Sequence, residues 1–166
     1  GLGTRKHRAA SGLLEFDLAA TSVRILYDGR DKPDVCVLLA SQSNIDACAR
    51  DPEKSWDLNV RATLDVARNL VEDGIKPVFI SSDTVFDGIT GNYSENSSTN
   101  PILTYGRQKL EVERELLGID PGALVLRLAK VVSPVGNNDD LFSLWLEDIR
   151  QEREILCADD QIQSLI

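Results

Sequence analysis

Several features that would assign a protein to a common class are scarce in this sequence. It has a single histidine in 166 residues, which argues against a zinc site because imidazole is one of the usual zinc ligands. No apolar stretch approaches the roughly 20 residues of a membrane-spanning helix, and no signal peptide is visible. We therefore expect no metal, no membrane partner and a cytoplasmic location.

Cysteine and basic charge are scarce as well. Cys36, Cys48 and Cys157 are an odd number of thiols in unrelated contexts, so we expect free thiols rather than a disulfide framework or a metal site. The net charge is −9 and the only strong basic cluster is "TRKHR" at residues 4–8, so no nucleic-acid partner is expected. What remains is an ordinary globular composition, 42% hydrophobic and 27% charged, with enough residues for one domain.

Short β-rich runs alternate with longer helical patterns, which predicts an α/β fold with a parallel sheet covered by helices. The predicted strands are residues 12–18, 33–41, 76–83, 122–132 and 153–158. The second of these, "PDVCVLLAS", is continuously apolar, which indicates a strand buried on both faces.

Two helices are predicted from periodic apolar residues and end signals. One covers residues 51–74, with Asp51 as N-cap before Pro52 and with Gly74 as C-cap. The other covers residues 138–151 and begins at an Asn/Asp cap.

A long segment rich in Gly, Asn, Ser and Thr, residues 83–100, follows the predicted strand at 76–83. Loops of more than about 12 residues within a compact domain are usually functional. In an open α/β sheet, ligands bind at the carboxyl ends of the strands, and this loop leaves from such an end. We therefore expect it to border the functional site.

Tyr105 and Lys109 lie one turn apart on the predicted helix "TYGRQKLEVERELL" (104–117), so their side chains share a face. A free phenol, with a pKa of about 10, is a poor proton donor at neutral pH. A nearby ammonium group favours the phenolate and lowers that pKa toward the working range. The pair could then protonate an oxyanion as hydride reaches a carbonyl carbon, although Tyr and Lys also meet by chance at this spacing in surface helices.

Two further polar residues belong to this hypothesis. Ser82 ends a predicted strand, where its hydroxyl could donate to a substrate carbonyl oxygen; the alternative is that it only turns the chain. Asn59 falls on the buried stripe of the helix at 51–74, where an amide needs a partner. We expect it to hold a water or the lysine, and the alternative is a tolerated surface position.

The runs "FISSDTVFDG" (79–88) and "NPILTYGRQKLEVE" (100–113) resemble the extended short-chain dehydrogenase/reductase superfamily. Within it, the resemblance is closest to the dTDP-4-dehydrorhamnose reductases, a sugar-nucleotide-binding group. The collinear runs "WDLNVRAT", "LVLRLAKVV" and "DDQIQS" extend it over nearly the whole chain.

This resemblance implies roles for individual residues. Tyr105 is the general acid, Lys109 is its pKa tuner and a ribose ligand, and Ser82 and Asn59 complete the catalytic set. The implied cofactor contacts are Arg5, Lys6, Asp17, Ala40, Ser41 and Lys109. The implied substrate contacts are Ser82, Asp83, Thr84, Val85 and Phe86.

The resemblance also implies a reaction, the NADPH-dependent reduction of a nucleotide-linked 4-keto-6-deoxy sugar. Arg5 and Lys6 would contact the 2′-phosphate of NADP(H); a disordered basic end is the alternative, and NAD(H) stays open. Two other functions stay open as well: a non-catalytic regulatory subunit, like that of methionine adenosyltransferase, and a sugar-nucleotide epimerase. Helices near Trp56 and Leu110 could pair between two copies, so a homodimer is also left open.

Three departures from the family pattern bear on these expectations. Thr84 stands where the reductases often have tyrosine, and Leu38 and Leu39 replace an Asn-Ala pair. No Gly-x-x-Gly-x-x-Gly loop follows a first strand. We therefore expect residues 1–166 to form a partial NAD(P)-binding domain, a Rossmann-like doubly wound parallel sheet without its first strand, in a fragment that also lacks the C-terminal substrate-binding part.

We predict that the isolated chain folds poorly and binds little or no NADPH. A sheet without its first strand leaves neighbouring buried strands without backbone partners, and the cofactor pyrophosphate loses the helix N-terminus that would bind it. Titration of NADPH into the isolated chain, followed by fluorescence, checks this. An affinity in the micromolar range would show the prediction wrong.

Overall fold

The computed structural model describes residues 2–3, 14–129 and 141–154. The chain divides into two compact units, Gly1–Arg127 and Leu128–Ile166. None of the helices within these described ranges has the length and apolar character needed to cross a membrane.

Five short strands form two sheets. They are β1 (Leu2–Gly3), β2 (Leu14–Glu15), β3 (Val35–Leu38), β4 (Lys76–Ser82) and β5 (Leu124–Leu128). β1 pairs with β2 in parallel, and a separate sheet has the order β3-β4-β5. β3 and β4 run parallel, with Val35 opposite Lys76 and Leu38 opposite Phe79. The predicted α/β fold, a Rossmann-like parallel sheet, is confirmed.

No described strand joins the two sheets, and β3 lies at the edge of the larger one. In a doubly wound sheet of order 3-2-1-4-5-6, the first strand stands between the pair 3-2 and the run 4-5-6. Among the described residues, β3 therefore pairs on one side only, with β4.

Helical segments connect the strands. They are α1 (Ile45–Arg50), α2 (Pro52–Trp56), a π-helical segment (Asp57–Ala62), α3 (Thr63–Glu72), α4 (Thr104–Ile119) and, in the second unit, α5 (Leu141–Arg150). The predicted caps of the helix at 51–74 are confirmed, because the Asp51 side chain accepts from Lys54 N at 3.1 Å and Gly74 has a φ of +71°. The wider π-helical turn in the middle of this helix was not predicted.

Most strands are shorter than predicted. Of the strand expected at 12–18, residues 12 and 13 lie outside the described residues and Leu14–Glu15 form the strand. The one at 33–41 is limited to Val35–Leu38, and the one at 122–132 is seen at Leu124–Leu128, with 130–132 outside the described residues. Residues 153 and 154 of the strand predicted at 153–158 are not in a strand, and residues 155–158 lie outside the described residues. The helix at 138–151 is seen from Leu141 to Arg150.

The three-stranded sheet buries one face and leaves apolar side chains on the other. Phe79 and Leu38 are buried in a core with side chains of α3 and α4. Val35 and Val37 are 49% and 45% exposed, because successive strand residues point to opposite faces. The prediction that residues 33–41 are buried on both faces is therefore wrong.

The N-terminus of α4 lies directly against the turn that follows β4. A Cβ at Gly106 would stand 2.1 Å from the carbonyl oxygen of Thr84, so no larger residue fits without moving the helix or the 3₁₀ turn at Asp83–Val85. This contact fixes the first turn of α4, which carries Tyr105, beside Ser82.

Gly106→Ala should destabilise the protein by about 1–3 kcal/mol, because the added methyl group overpacks a backbone contact. Gly118→Ala is the matched control: it lies in the same helix with open space around its Cβ position, so alanine should stabilise it by roughly 0.5–1 kcal/mol. Urea unfolding of both variants checks the opposite signs. Equal effects would contradict the close approach.

Candidate active site

Residues from three segments meet at the carboxyl ends of β3 and β4. Ser41 follows β3, Ser82 ends β4, and Tyr105 lies in the first turn of α4. The Ser41 side chain and the charge of Asp83 are both close enough to Tyr105 to act on its phenol. The structure thus brings Tyr105 to the strand ends, as predicted.

The pKa of Tyr105 is raised, not lowered. Burial is the main cause, the Ser41 side chain opposes it, and the ionisable groups of Cys48 and Asp83 add to it. The expected net lowering of this pKa is therefore wrong for this structure, because burial outweighs the groups that favour the phenolate. The ammonium nitrogen of Lys109 lies 5.4 Å from the centroid of the Tyr105 ring.

Lys109 is itself almost fully buried, with 4% of its surface exposed. Its Nζ donates to the carbonyl oxygen of Ile80 at 2.9 Å and lies 4.7 Å from the centroid of the Phe79 ring. Burial lowers the pKa of Lys109 to about 8, and the carboxylate of Glu113 opposes that shift. With this pKa the lysine is still mostly protonated at pH 7.

Glu113 lies one turn beyond Lys109 and is 3% exposed. It accepts a hydrogen bond from Ser81 Oγ at 2.5 Å and forms an ion pair with Arg127, whose Nη2 is 2.6 Å from Oε2. Arg127 Nε lies 3.0 and 3.1 Å from the two carboxylate oxygens. The pair thus joins α4 to both β4 and β5.

Asn59 is buried in the π-helical segment and does not lie at the surface. Its side chain binds neighbouring segments. Its Nδ2 donates to Gln108 Oε1 at 2.7 Å and to the carbonyl oxygen of Gln42 at 3.0 Å, and its Oδ1 accepts from Gln42 N at 2.7 Å. Gln108 in turn donates to Ser55 Oγ at 2.7 Å. The expectation that Asn59 holds Lys109 or a water is corrected: it ties α4 to the loop after β3.

The turn after β4 uses Ser82 as a cap. Ser82 Oγ accepts from Thr84 N at 3.2 Å and from Thr84 Oγ1 at 3.0 Å, and it donates to Asp83 Oδ1 at 3.0 Å. Asp83 is exposed and Thr84 half-buried, so this turn presents polar groups at the strand ends. Val85 has no exposed surface, so its predicted contact with substrate is not possible in this structure.

The long loop after this turn is held by its own contacts. The Phe86 and Tyr93 rings stack with centroids 4.4 Å apart. Asp87 accepts from the Tyr93 hydroxyl at 2.5 Å and from Asn100 Nδ2 at 3.1 Å, and these bonds lower the pKa of Asp87. Phe86 is therefore packed inside the loop.

The predicted cofactor residues are only partly visible. Arg5 and Lys6 lie outside the described residues, whereas Asp17 follows β2 and accepts from Ala19 N at 3.1 Å. Ala40 is exposed and Ser41 half-buried at the carboxyl end of β3. Of the departures from the family pattern, Leu38 is buried and Leu39 is 66% exposed.

The structure also bears on the cysteines and on the helices near Trp56 and Leu110. Cys36 and Cys48 are free thiols, as predicted, and Cys157 lies outside the described residues. Leu110 is buried within the chain at 7% exposure, so it offers little surface for pairing between copies. Trp56 is half-buried and packs against the core.

Sequence reasoning missed Gln108, Glu113 and Arg127. A signal existed for Glu113, since Tyr105, Lys109 and Glu113 repeat at four-residue steps along α4. Such Lys-Glu spacing usually marks an exposed ion pair, so the pattern alone did not distinguish a buried one.

A parallel sheet with helices and polar groups at its strand ends defines a Rossmann-like α/β protein. The chain belongs to the RmlD substrate binding domain family, which it matches over residues 9–164.

Two curated relatives illustrate the range of this similarity. The methionine adenosyltransferase 2 subunit beta of Danio rerio is 36% identical over 133 residues, 80% of this chain and 41% of the relative. A dTDP-4-dehydrorhamnose reductase of Sinorhizobium fredii is 33% identical over 150 residues, 87% of this chain and 49% of the relative. The chain therefore spans about half or less of the length of these relatives.

Among solved structures, MoeE5 in complex with UDP-glucuronic acid and NAD has a TM-score of 0.79 and 24% identity, covering 99% of this chain and 58% of that one. At this identity the likeness shows the fold.

Lys109→Met should remove a pH dependence of stability. The pKa of Lys109 falls from 10.5 in the unfolded chain to about 8 on folding. The contribution of this lysine to the free energy of unfolding is therefore fully present above pH 10.5 and is lost as the pH falls through 8. The wild type should gain up to about 1 kcal/mol per pH unit over the variant between these values. Urea unfolding at pH 8 and 9.5 measures this gain; exposed Lys76→Met is the control, and parallel curves for all three proteins would contradict it.

Proposed function

We propose that this chain forms the catalytic part of an NADPH-dependent reductase of a nucleotide-linked 4-keto-6-deoxy sugar. The observation that carries the proposal is the placement of Tyr105 over buried Lys109, beside Ser41 and the turn at Ser82. The family and the reductases among the relatives support it.

Tyr105 serves as the proton donor in this proposal. A raised pKa keeps the phenol protonated at neutral pH, so its proton is available to a carbonyl oxygen that gains negative charge. The ammonium of Lys109 then stabilises the phenolate that forms, because opposite charges attract strongly where water is excluded.

Ser82 would orient the substrate oxygen. Its hydroxyl proton points to Asp83 in this structure, and Thr84 donates to the same oxygen. Rotation of this hydroxyl would redirect its proton to a substrate carbonyl while the Thr84 contacts remain. Asp83 and Thr84, the polar residues of the same turn, would contact sugar hydroxyls.

A nicotinamide cofactor would supply the hydride when bound. The residues present fit its ribose end: Lys109 keeps two N–H donors beyond the one used by Ile80, and exposed Ala40 leaves room at the end of β3. The preference for NADPH over NADH in this proposal depends on Arg5 and Lys6, which would contact the 2′-phosphate. Among the described ranges, no glycine-rich strand–turn–helix is present to hold a pyrophosphate.

A second candidate is a non-catalytic, nucleotide-binding regulatory subunit. The similarity to methionine adenosyltransferase 2 subunit beta favours it, as does exposed Leu39 where the reductases have a smaller residue. In that case the buried groups around Lys109 serve as scaffold, and the epimerase alternative gains no separate support.

In the full-length protein that the fragment expectation implies, Tyr105→Phe should lower reduction of a dTDP-linked 4-keto sugar by about 10²–10⁴-fold, since it removes the proton donor. Tyr27→Phe is the matched control: Tyr27 donates to Asp73, away from the site, and its loss should leave the rate unchanged. NADPH oxidation, followed by absorbance, measures both. A Tyr105→Phe protein with wild-type turnover would exclude this mechanism. If the unmutated protein binds a partner protein but shows no turnover, the regulatory-subunit function is favoured instead.

A further inference from the structure

Lys109 has a carboxylate neighbour that proton donation by Tyr105 does not directly require. Tyr105, Lys109 and Glu113 follow one another at single-turn intervals on the inner face of α4, and Lys109 and Glu113 are 4% and 3% exposed. Exposed pairs of this spacing contribute little. A buried carboxylate, in contrast, acts on a neighbouring amine with little screening.

Glu113 cannot turn away from this position. Ser81 Oγ donates to one carboxylate oxygen at 2.5 Å, and Arg127 binds both oxygens through Nε and Nη2. These partners come from β4 and β5, so the carboxylate is fixed relative to the sheet that also supplies the Ile80 carbonyl to Lys109.

Arg127 connects the same pair to the loop after β4. Its guanidinium carbon lies 5.2 Å from the centroid of the Phe86 ring, and its Nη1 donates to the carbonyl oxygen of Glu95 at 3.4 Å. Phe86 follows the turn that begins at Ser82. One ion pair therefore contacts both the surroundings of Lys109 and the loop beside the site.

We propose that Glu113 is a positioning residue whose fixed, buried carboxylate acts on the Lys109 ammonium from one helical turn away, and that Arg127 limits this effect while it holds the loop at Phe86. Its meaning for catalysis rests on the proposed function, because a charged Lys109 is needed to stabilise the Tyr105 phenolate. The effect on Lys109 itself does not depend on any reaction.

The groups that face Lys109 agree with this assignment. Its own helix presents Tyr105 and Glu113, while β4 presents the Phe79 ring and the Ile80 carbonyl. Asp83 and Cys48 act on Tyr105, and Arg127 of β5 acts on Glu113. Glu113 is the carboxylate that opposes the loss of charge on Lys109 through burial.

The test is an NMR titration of the full chain carrying ¹³C- and ¹⁵N-labelled lysine, with the Lys109 signal assigned by its absence in Lys109→Arg. In Glu113→Gln, which keeps the size and an acceptor oxygen, the titration midpoint of Lys109 should fall by about one pH unit. Glu115→Gln is the matched control, because Glu115 is exposed on the same helix and should leave the midpoint unchanged.

Arg127→Gln supplies the opposite prediction and remains informative if Glu113→Gln does not fold. Without its cation, Glu113 acts on Lys109 unopposed, so the midpoint should rise. A midpoint unmoved in either folded variant, or moved equally by Glu115→Gln, would overturn the proposal. Since the titration needs neither substrate nor cofactor, its outcome is separate from that of the Tyr105→Phe experiment.

Discussion

The burial of opposite charges on one helix constrains the rest of the structure. Lys109 and Glu113 are both removed from water on the inner face of α4, and a buried charge is costly unless it is paired and hydrogen-bonded. Their partners all come from the sheet: the Ile80 carbonyl, Ser81 Oγ and Arg127. α4 can satisfy these partners in one register only, and that register carries its first turn to the strand ends.

A second set of buried polar groups holds the other side of α4. Gln108 has no exposed surface and bonds to both Asn59 and Ser55, while Asn59 also binds the backbone of Gln42. The π-helical segment matters here because an extra residue in a turn rotates the side chains that follow it, and such segments are frequent at functional sites. Asn59 lies within that segment, so its reach toward both Gln108 and Gln42 depends on an irregular helix.

Local patterns in the sequence were enough to locate β2 to β5, the capped helix after Asp51 and the meeting of Tyr105 with the carboxyl ends of the strands. They were not enough for contacts between distant residues. The pairing of Glu113 with Arg127 and of Asn59 with Gln108 depends on how α4 docks, which no local spacing encodes. The direction of the Tyr105 pKa was missed for the same reason, since burial is a property of the fold and spacing to Lys109 is not.

The curated relatives of this chain include dTDP-4-dehydrorhamnose reductases and the methionine adenosyltransferase 2 subunit beta. In this chain, the buried pairs around Glu113 and Gln108 hold α4 in place whether or not a reaction occurs. On the proposed function, the chemistry falls to Tyr105 and the Ser82 turn at the strand ends. A chain that keeps a buried ammonium under its tyrosine carries a destabilising charge. Such a cost is most easily explained where that charge is used, as it would be when the phenol gives up its proton.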